Sequence, residues 1–247
     1  MAIDLTGRTA LVTGGARRLG RCIALTLARA GANVVIHRRS SAAEAEALAE
    51  DIRGLGRGAW TVGADLRSDA HLEALVDRAL EAAGALDILV NNAAVFPESR
   101  LAMVTFGDLI ECVRVNAWAP LELARRFAGT ARSGHVVNLL DARAAGLDRS
   151  HAAYQASKHM LALFTRLMAV EFAPGIAVNA VAPGLIPADD APMSAGVATA
   201  GGSLPLRRAG TAQDVADAVL FLVGCGFVTG QVIHVDGGRH ARDAGGG

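Results

Sequence analysis

The chain has one tyrosine, two tryptophans and three cysteines among 247 residues, and its 24 basic and 24 acidic side chains cancel. Each shortage excludes something. Without net charge there is little pull toward nucleic acid or an anionic membrane surface. Cys22, Cys112 and Cys225 are scattered without CxxC spacing, and an odd count suits reduced, inert thiols in a cytoplasm rather than a disulfide framework. No apolar run approaches the roughly 18 residues needed to span a bilayer. The start, MAIDLTGRTALVTGG, has no basic segment leading into an apolar stretch, so no signal peptide is expected. No metal site is assigned. What remains is a soluble cytoplasmic domain for which no nucleic-acid or membrane partner is expected.

Hydrophobic residues make up 52% of the chain and charged ones 19%, ample for the core of one large α/β domain. Short β-branched runs at 9–12, 33–37, 59–62, 88–90, 135–139, 177–181 and 232–235 read as strands. Ala/Leu/Glu/Arg-rich stretches at 19–30, 42–55, 69–83, 106–128, 152–172 and 212–223 read as helices. This alternation predicts a single doubly wound Rossmann-type α/β domain over residues 1–240, with a parallel seven-stranded sheet and helices on both faces. Ligands are expected beyond the carboxyl ends of the strands. Residues 184–206 hold three prolines and a Gly-Gly pair without clean periodicity. So long a loop on the ligand side reads as a substrate lid. Residues 241–247 read as a flexible tail.

The first strand runs into Thr13-Gly14-Gly15-Ala16-Arg17-Arg18-Leu19-Gly20 and then a helix. Glycines let the backbone approach a pyrophosphate, and the helix start offers amide donors and positive dipole. The second strand ends in His37-Arg38-Arg39-Ser40, with none of the acid that accepts hydrogen bonds from the ribose of NAD. Two guanidiniums there suit a 2′-phosphate, so the expected cofactor is NADPH. Asp65 is placed to meet an adenine edge or to cap a helix. Asn91-Asn92-Ala93-Ala94, after the fourth strand, supplies small residues and amides that suit either a cofactor or a turn.

Tyr154 stands four residues before Lys158, which puts phenol and ammonium on one helix face. A phenol titrates near pH ~10, and a neighbouring cation favours its ionised form. Tyr154 is therefore a candidate proton donor or acceptor, the alternative being a pair on a solvated helix face.

Together these residues resemble the short-chain dehydrogenase/reductase family from about Thr6 to Gly238. The motifs are Thr13-Gly14 through Gly20, Asp65-Leu66, Asn91-Asn92-Ala93, Asn116, Tyr154-x-x-x-Lys158 and Pro183-Gly184. The resemblance implies a nicotinamide cofactor, hydride transfer and a homotetramer or dimer. It implies that Tyr154 is the acid/base, Lys158 its ribose-holding partner, Asn116 the anchor of a proton-relay water, and Pro183-Gly184 the turn beside the nicotinamide. Two departures look like the pteridine reductase branch. Arg18 replaces the middle glycine of the loop, and Asp141 stands thirteen residues before the tyrosine, where the family has its catalytic serine. Phe96 matches the residue that stacks on the pterin in that branch.

A serine hydroxyl donates to a carbonyl oxygen, whereas an ionised carboxylate only accepts. Asp141 would thus repel a ketone oxygen gaining charge, and it suits a ring with N–H groups or a nitrogen to be protonated. Phe96 is expected to hold a flat ring by offset stacking, or else to fill the core beneath its loop. Leu185 and Met193 complete the expected substrate contacts. The predicted reaction is hydride transfer from NADPH to a C=N bond of a pterin or dihydrofolate-type substrate. Alternatives are an NADPH-dependent ketoreductase and a non-catalytic NADPH-sensing protein.

Overall fold

Seven short strands carry Val, Ile, Leu and Ala on both faces, the condition for a parallel sheet covered on each side by helices. In the computed structural model, which describes residues 3–142, 148–187 and 201–244, these are β1 (Thr9–Val12), β2 (Asn33–Arg38), β3 (Ala59–Gly63), β4 (Ile88–Asn91), β5 (Gly134–Leu139), β6 (Ile176–Pro183) and β7 (Val232–Val235). They form one sheet in the order β3-β2-β1-β4-β5-β6-β7, and every pairing is parallel. Strand order reverses between β1 and β4, opening a crevice at the carboxyl ends where this class of sheet binds its ligands.

The pleat sorts alternate residues into two cores. Ala10, Val12, Val34, Ile36, Ile88 and Val90 face one side, with Ile23 and Leu27 of α1 (Arg18–Arg29), Leu48 of α2 (Ala42–Gly54) and Val219 of α7 (Ala212–Gly224). Leu11, Val35 and Leu89 face the other. There they meet Leu72 and Leu75 of α3 (Asp69–Ala83), Leu123 and Phe127 of α5 (Ala119–Thr130) and Met168 of α6 (Ala152–Glu171).

Two boundaries differ from the sequence reading. The expected helix over 106–128 is α4 (Phe106–Val113) and α5 joined by a π-helical turn, Arg114–Trp118. Such a turn inserts a residue into the ladder and is frequent at functional sites. Here it carries Asn116. The tail expected from Ala241 is helical over part of its length, as α8 (Arg239–Ala244). Residues 188–200, most of the anticipated lid, and with them Met193, lie outside the described residues. Among the described residues no helix is long and apolar enough to cross a membrane.

Candidate active site

The glycine loop is fastened to β4 from below. Thr13 Oγ1 accepts from the amides of Asn92 (2.9 Å) and Ala93 (3.0 Å), and the Asn92 side chain donates to the carbonyls of Thr13 (2.9 Å) and Gly14 (3.1 Å). Gly14 turns with φ +60°, and a Cβ on Gly20 would lie 2.2 Å from the Gly14 carbonyl, so the start of α1 packs on the loop only because Gly20 has no side chain. Arg18, at the position of the family's middle glycine, itself adopts φ +48°. The arginine thus stands in a left-handed conformation that a glycine would adopt without steric cost. No side chain caps α1, which leaves its first amides directed at the crevice.

His37 lines the cleft at the end of β2, where the sequence reading put a cofactor contact. It is buried, its Nδ1 accepts from the Gly14 amide at 3.1 Å, and its Nε2 lies 3.1 Å from the Ala64 carbonyl. That pattern requires a neutral ring donating from Nε2. Burial pushes its pKa down to about 4, against the opposing hydrogen bond to Ala64. The ring thus latches the glycine loop to the end of β3.

Beyond it, Arg38 lies across Gly63, where a Cβ would stand 3.2 Å from its Nη1, and its buried Nε has no hydrogen-bond partner. Arg17 is ion-paired with Glu44 of α2, while Arg39 and Ser40 are exposed. Together with Leu19, Asp65, Leu66, Asn92 and Ala93 these residues line a cleft of about 460 Å³. Asp65 accepts from the Arg67 amide at 3.0 Å, a turn contact that leaves it on the cleft wall. The helix cap expected there is Ser68, which accepts from the His71 amide.

A second cavity, of about 280 Å³, shares Arg18, Leu19, Asn92 and Ala94 with the first and reaches Asp141, Tyr154, Lys158, Pro183 and Gly184. The Tyr154 hydroxyl donates to Asp141 Oδ2 at 2.9 Å. Lys158, the chain's only lysine, is buried, donates to the Leu139 carbonyl at 2.7 Å and lies 5.7 Å from the Tyr154 ring centre. Burial lowers its pKa to about 8, with the Asp141 charge acting in the opposite direction.

Asn116 is fully buried and its side chain is spoken for. Oδ1 accepts from the Val95 amide (2.8 Å), and Nδ2 donates to the Val95 carbonyl (2.9 Å) and Ser157 Oγ (3.0 Å). It clamps the loop after β4 to α6. Ser157, absent from the sequence reading, is the α6 half of that clamp; it looks like an ordinary small helix residue until Asn116 is placed against it.

Phe96 reaches the site differently from the expectation. Its ring stacks on His151 (3.9 Å between centres, 14°) and meets Tyr154 edge-on at 4.6 Å. His151 in turn lies 2.9 Å from Asp148. One face of the expected pterin platform is therefore occupied by an imidazole. Leu185 does not line the second cavity; its carbonyl accepts from the Gly210 amide, and Ile186 and Pro187 form the wall instead.

A family model described as enoyl-(acyl carrier protein) reductase matches residues 14–240. The chain belongs to the short-chain dehydrogenase/reductase family. It is 34% identical over 241 residues to a 3-oxoacyl-[acyl-carrier-protein] reductase of Staphylococcus aureus, covering 94% of this chain and 98% of the relative. Among solved structures it resembles an alternative dihydrofolate reductase, FolM, from Brucella canis in complex with NADP (TM-score 0.88, 34% identity, 95% of each chain). A short-chain dehydrogenase from Burkholderia cenocepacia, also with NADP, aligns with TM-score 0.88 and 36% identity over 95% of this chain and 98% of that one.

Proposed function

We propose that this protein is an NADPH-dependent reductase of a C=N bond in a pterin or dihydrofolate-type ring. The observation that carries the reading is the carboxylate of Asp141, hydrogen-bonded to the only phenol in the chain at the position where the family has a serine.

The residues of the cleft fit NADPH. Gly20 leaves room for close backbone approach, the first amides of α1 are uncapped, and a buried Arg38 Nε lacks a partner where a 2′-phosphate would need donors. Gly14, Arg18, Leu19, Gly20, Asn92 and Ala93 would hold the pyrophosphate half, Arg38, Arg39 and Ser40 the 2′-phosphate, and Asp65 and Leu66 the adenine. Pro183 and Gly184 would border the nicotinamide. Bound NADPH supplies the hydride.

The chain's own part is proton management. Tyr154 is oriented by Asp141, which accepts its hydrogen bond and presents acceptor oxygens to ring N–H groups. Asp141 alongside a carbonyl oxygen gaining negative charge is repulsive; alongside a ring nitrogen gaining a proton it is favourable. Lys158 sits in dry surroundings below the phenol, where a cation favours phenolate once the proton has left. The Phe96–His151 stack fixes the wall beside Tyr154. FolM shares the overall structure and 34% of its residues with this chain.

The ketoreductase reading is favoured by the Staphylococcus relative, since Tyr154 and Lys158 serve carbonyl reduction equally. Assembly as a homodimer or tetramer is part of the same proposal, with Leu163, Leu167 and Val170 of α6 forming an exposed apolar face that suits a second copy. NADPH oxidation measured with dihydrobiopterin, dihydrofolate and a set of simple ketones decides the substrate class. Turnover confined to the ketones would overturn the C=N assignment.

A further inference from the structure

The last strand and the terminal helix bring together three ligand-type side chains that the reductase chemistry does not use. We propose that His234, Asp236 and His240 form a binding site for a divalent transition-metal ion of the zinc class, one that braces the C-terminal segment rather than taking part in catalysis. The site is independent of the substrate assignment.

Spacing and topology converge. His234 and Asp236 are two residues apart at the end of β7, which sends both side chains to one face of the strand. His240, in the first turn of α8, folds back onto them. One ligand atom from each residue lies within 4.8 Å of the others. Asp236 is nearly fully buried and already ordered. Oδ1 accepts from the Gly238 amide (2.9 Å), Oδ2 accepts from the His240 amide (2.7 Å), and His240 Nδ1 lies 2.9 Å from Oδ2. The two imidazoles stack with centres 4.0 Å apart at 19°.

The decisive feature is His234 Nδ1, which is buried and has no hydrogen-bond partner. A buried imidazole nitrogen is normally paired, and an ordinary His240–Asp236 hydrogen bond leaves it unexplained. A metal ion bound at that nitrogen would give it a partner and draw the three groups together. On a tetrahedral ion with bonds of ~2.1 Å adjacent ligands stand about 3.4 Å apart, so His240 Nδ1 and Asp236 Oδ2, now 2.9 Å apart, need to open only slightly to share it. Bringing in His234 requires the stacked rings to swing apart. Two imidazoles and one carboxylate select zinc, cobalt or nickel over calcium or magnesium.

The location gives the ion a mechanical role. Asp236 backs directly on Gly184, where a Cβ would come 2.5 Å from the Asp236 Cα, and the Gly184 amide donates to the Val235 carbonyl at 2.9 Å. The Leu206 amide donates to the Gly237 carbonyl. A metal here would tie β7 and α8 to the turn at Pro183-Gly184 and to the segment around Leu206.

The test uses the untagged full chain, stripped with a chelator and dialysed. Titration with Zn²⁺ by calorimetry and with Co²⁺ by visible absorption should give one equivalent per chain, and Zn²⁺ should raise the Tm. His240→Ala, on the terminal helix, and His234→Gln should each weaken binding at least ten-fold and abolish the Tm rise. His159→Ala, an exposed control on α6, should bind like the parent. Absence of stoichiometric binding to the folded parent, or binding undiminished in His240→Ala, would overturn the proposal.

Discussion

The hydroxyl of Tyr154 donates to Oδ2 of Asp141 at 2.9 Å, joining the first turn of α6 to the segment that follows β5. A tyrosine paired with a serine meets another group able to donate; one paired with a carboxylate meets a pure acceptor. On the proposed reading, the pair would take hydrogen bonds from the substrate while offering it a proton from the phenol.

Removing that proton should stop chemistry while sparing the cofactor. Tyr154→Phe keeps the ring against Phe96 and deletes only the hydroxyl, so kcat should fall about 10²–10⁴-fold, the range typical of general acid–base catalysis. NADPH affinity, followed by nucleotide fluorescence, should change less than about two-fold. Near-parental turnover would rule Tyr154 out as the acid.

Lys158 links pH to both stability and rate. Its pKa in the folded protein, about 8, lies below the ordinary lysine value of 10.5. Between those values the unfolded chain binds more protons than the folded one, so stability should rise with pH across that window, by up to about 3 kcal/mol. The cation is lost over the same range, so kcat/KM should decline above pH about 8. Denaturant midpoints of the cofactor-free protein from pH 7.5 to 10.5 check the first statement. Lys158→Met should remove this part of the pH dependence, together with most of the activity.

His37 acts in acid. Its folded pKa of about 4 lies below the ordinary 6.5, so stability present at neutral pH should be lost as pH falls from about 6.5 to about 4. Protonation also converts Nδ1 from acceptor to donor and breaks the latch on the Gly14 amide. His37→Ala should weaken NADPH binding about 2–10-fold at neutral pH, the worth of one such hydrogen bond. Titration of NADPH at pH 7.5 reads this directly.

The proposed contacts to the 2′-phosphate lie at the end of β2. Replacing both Arg38 and Arg39 with Ala should reduce the NADPH-over-NADH preference in kcat/KM by about 10–100-fold, mainly through a raised KM for NADPH. An unchanged ratio would move the 2′-phosphate contact elsewhere, to Arg17 released from Glu44.

Most of the framework was legible from the alternation of short apolar runs with helical stretches. A run such as Leu11-Val12 or Leu89-Val90 is apolar on both faces, and only a doubly covered parallel strand accommodates that. The π-helical turn was not legible, because Arg114 to Trp118 are residues at home in any helix and the inserted position leaves no mark on the pattern. The latch formed by His37 depends on β1, β2 and β3 lying side by side, so from sequence the residue read as one more polar group in a basic turn. The stacking of Phe96 on His151 joins residues far apart along the chain, and nothing near either one announces it. Pairing of Asp141 with Tyr154 was reached through family resemblance, since the chain between two residues thirteen positions apart carries no local signal that they meet.

The most direct measurement of the central claim is the ratio of kcat/KM for dihydrobiopterin to that for a simple ketone, taken for the parent chain and for Asp141→Ser. The parent should favour the pterin, and the serine variant should shift the ratio toward the ketone by at least about ten-fold, the equivalent of one hydrogen bond changing sense. An identical ratio in the two proteins would contradict the account, because the carboxylate beside Tyr154 would then have no part in choosing the substrate.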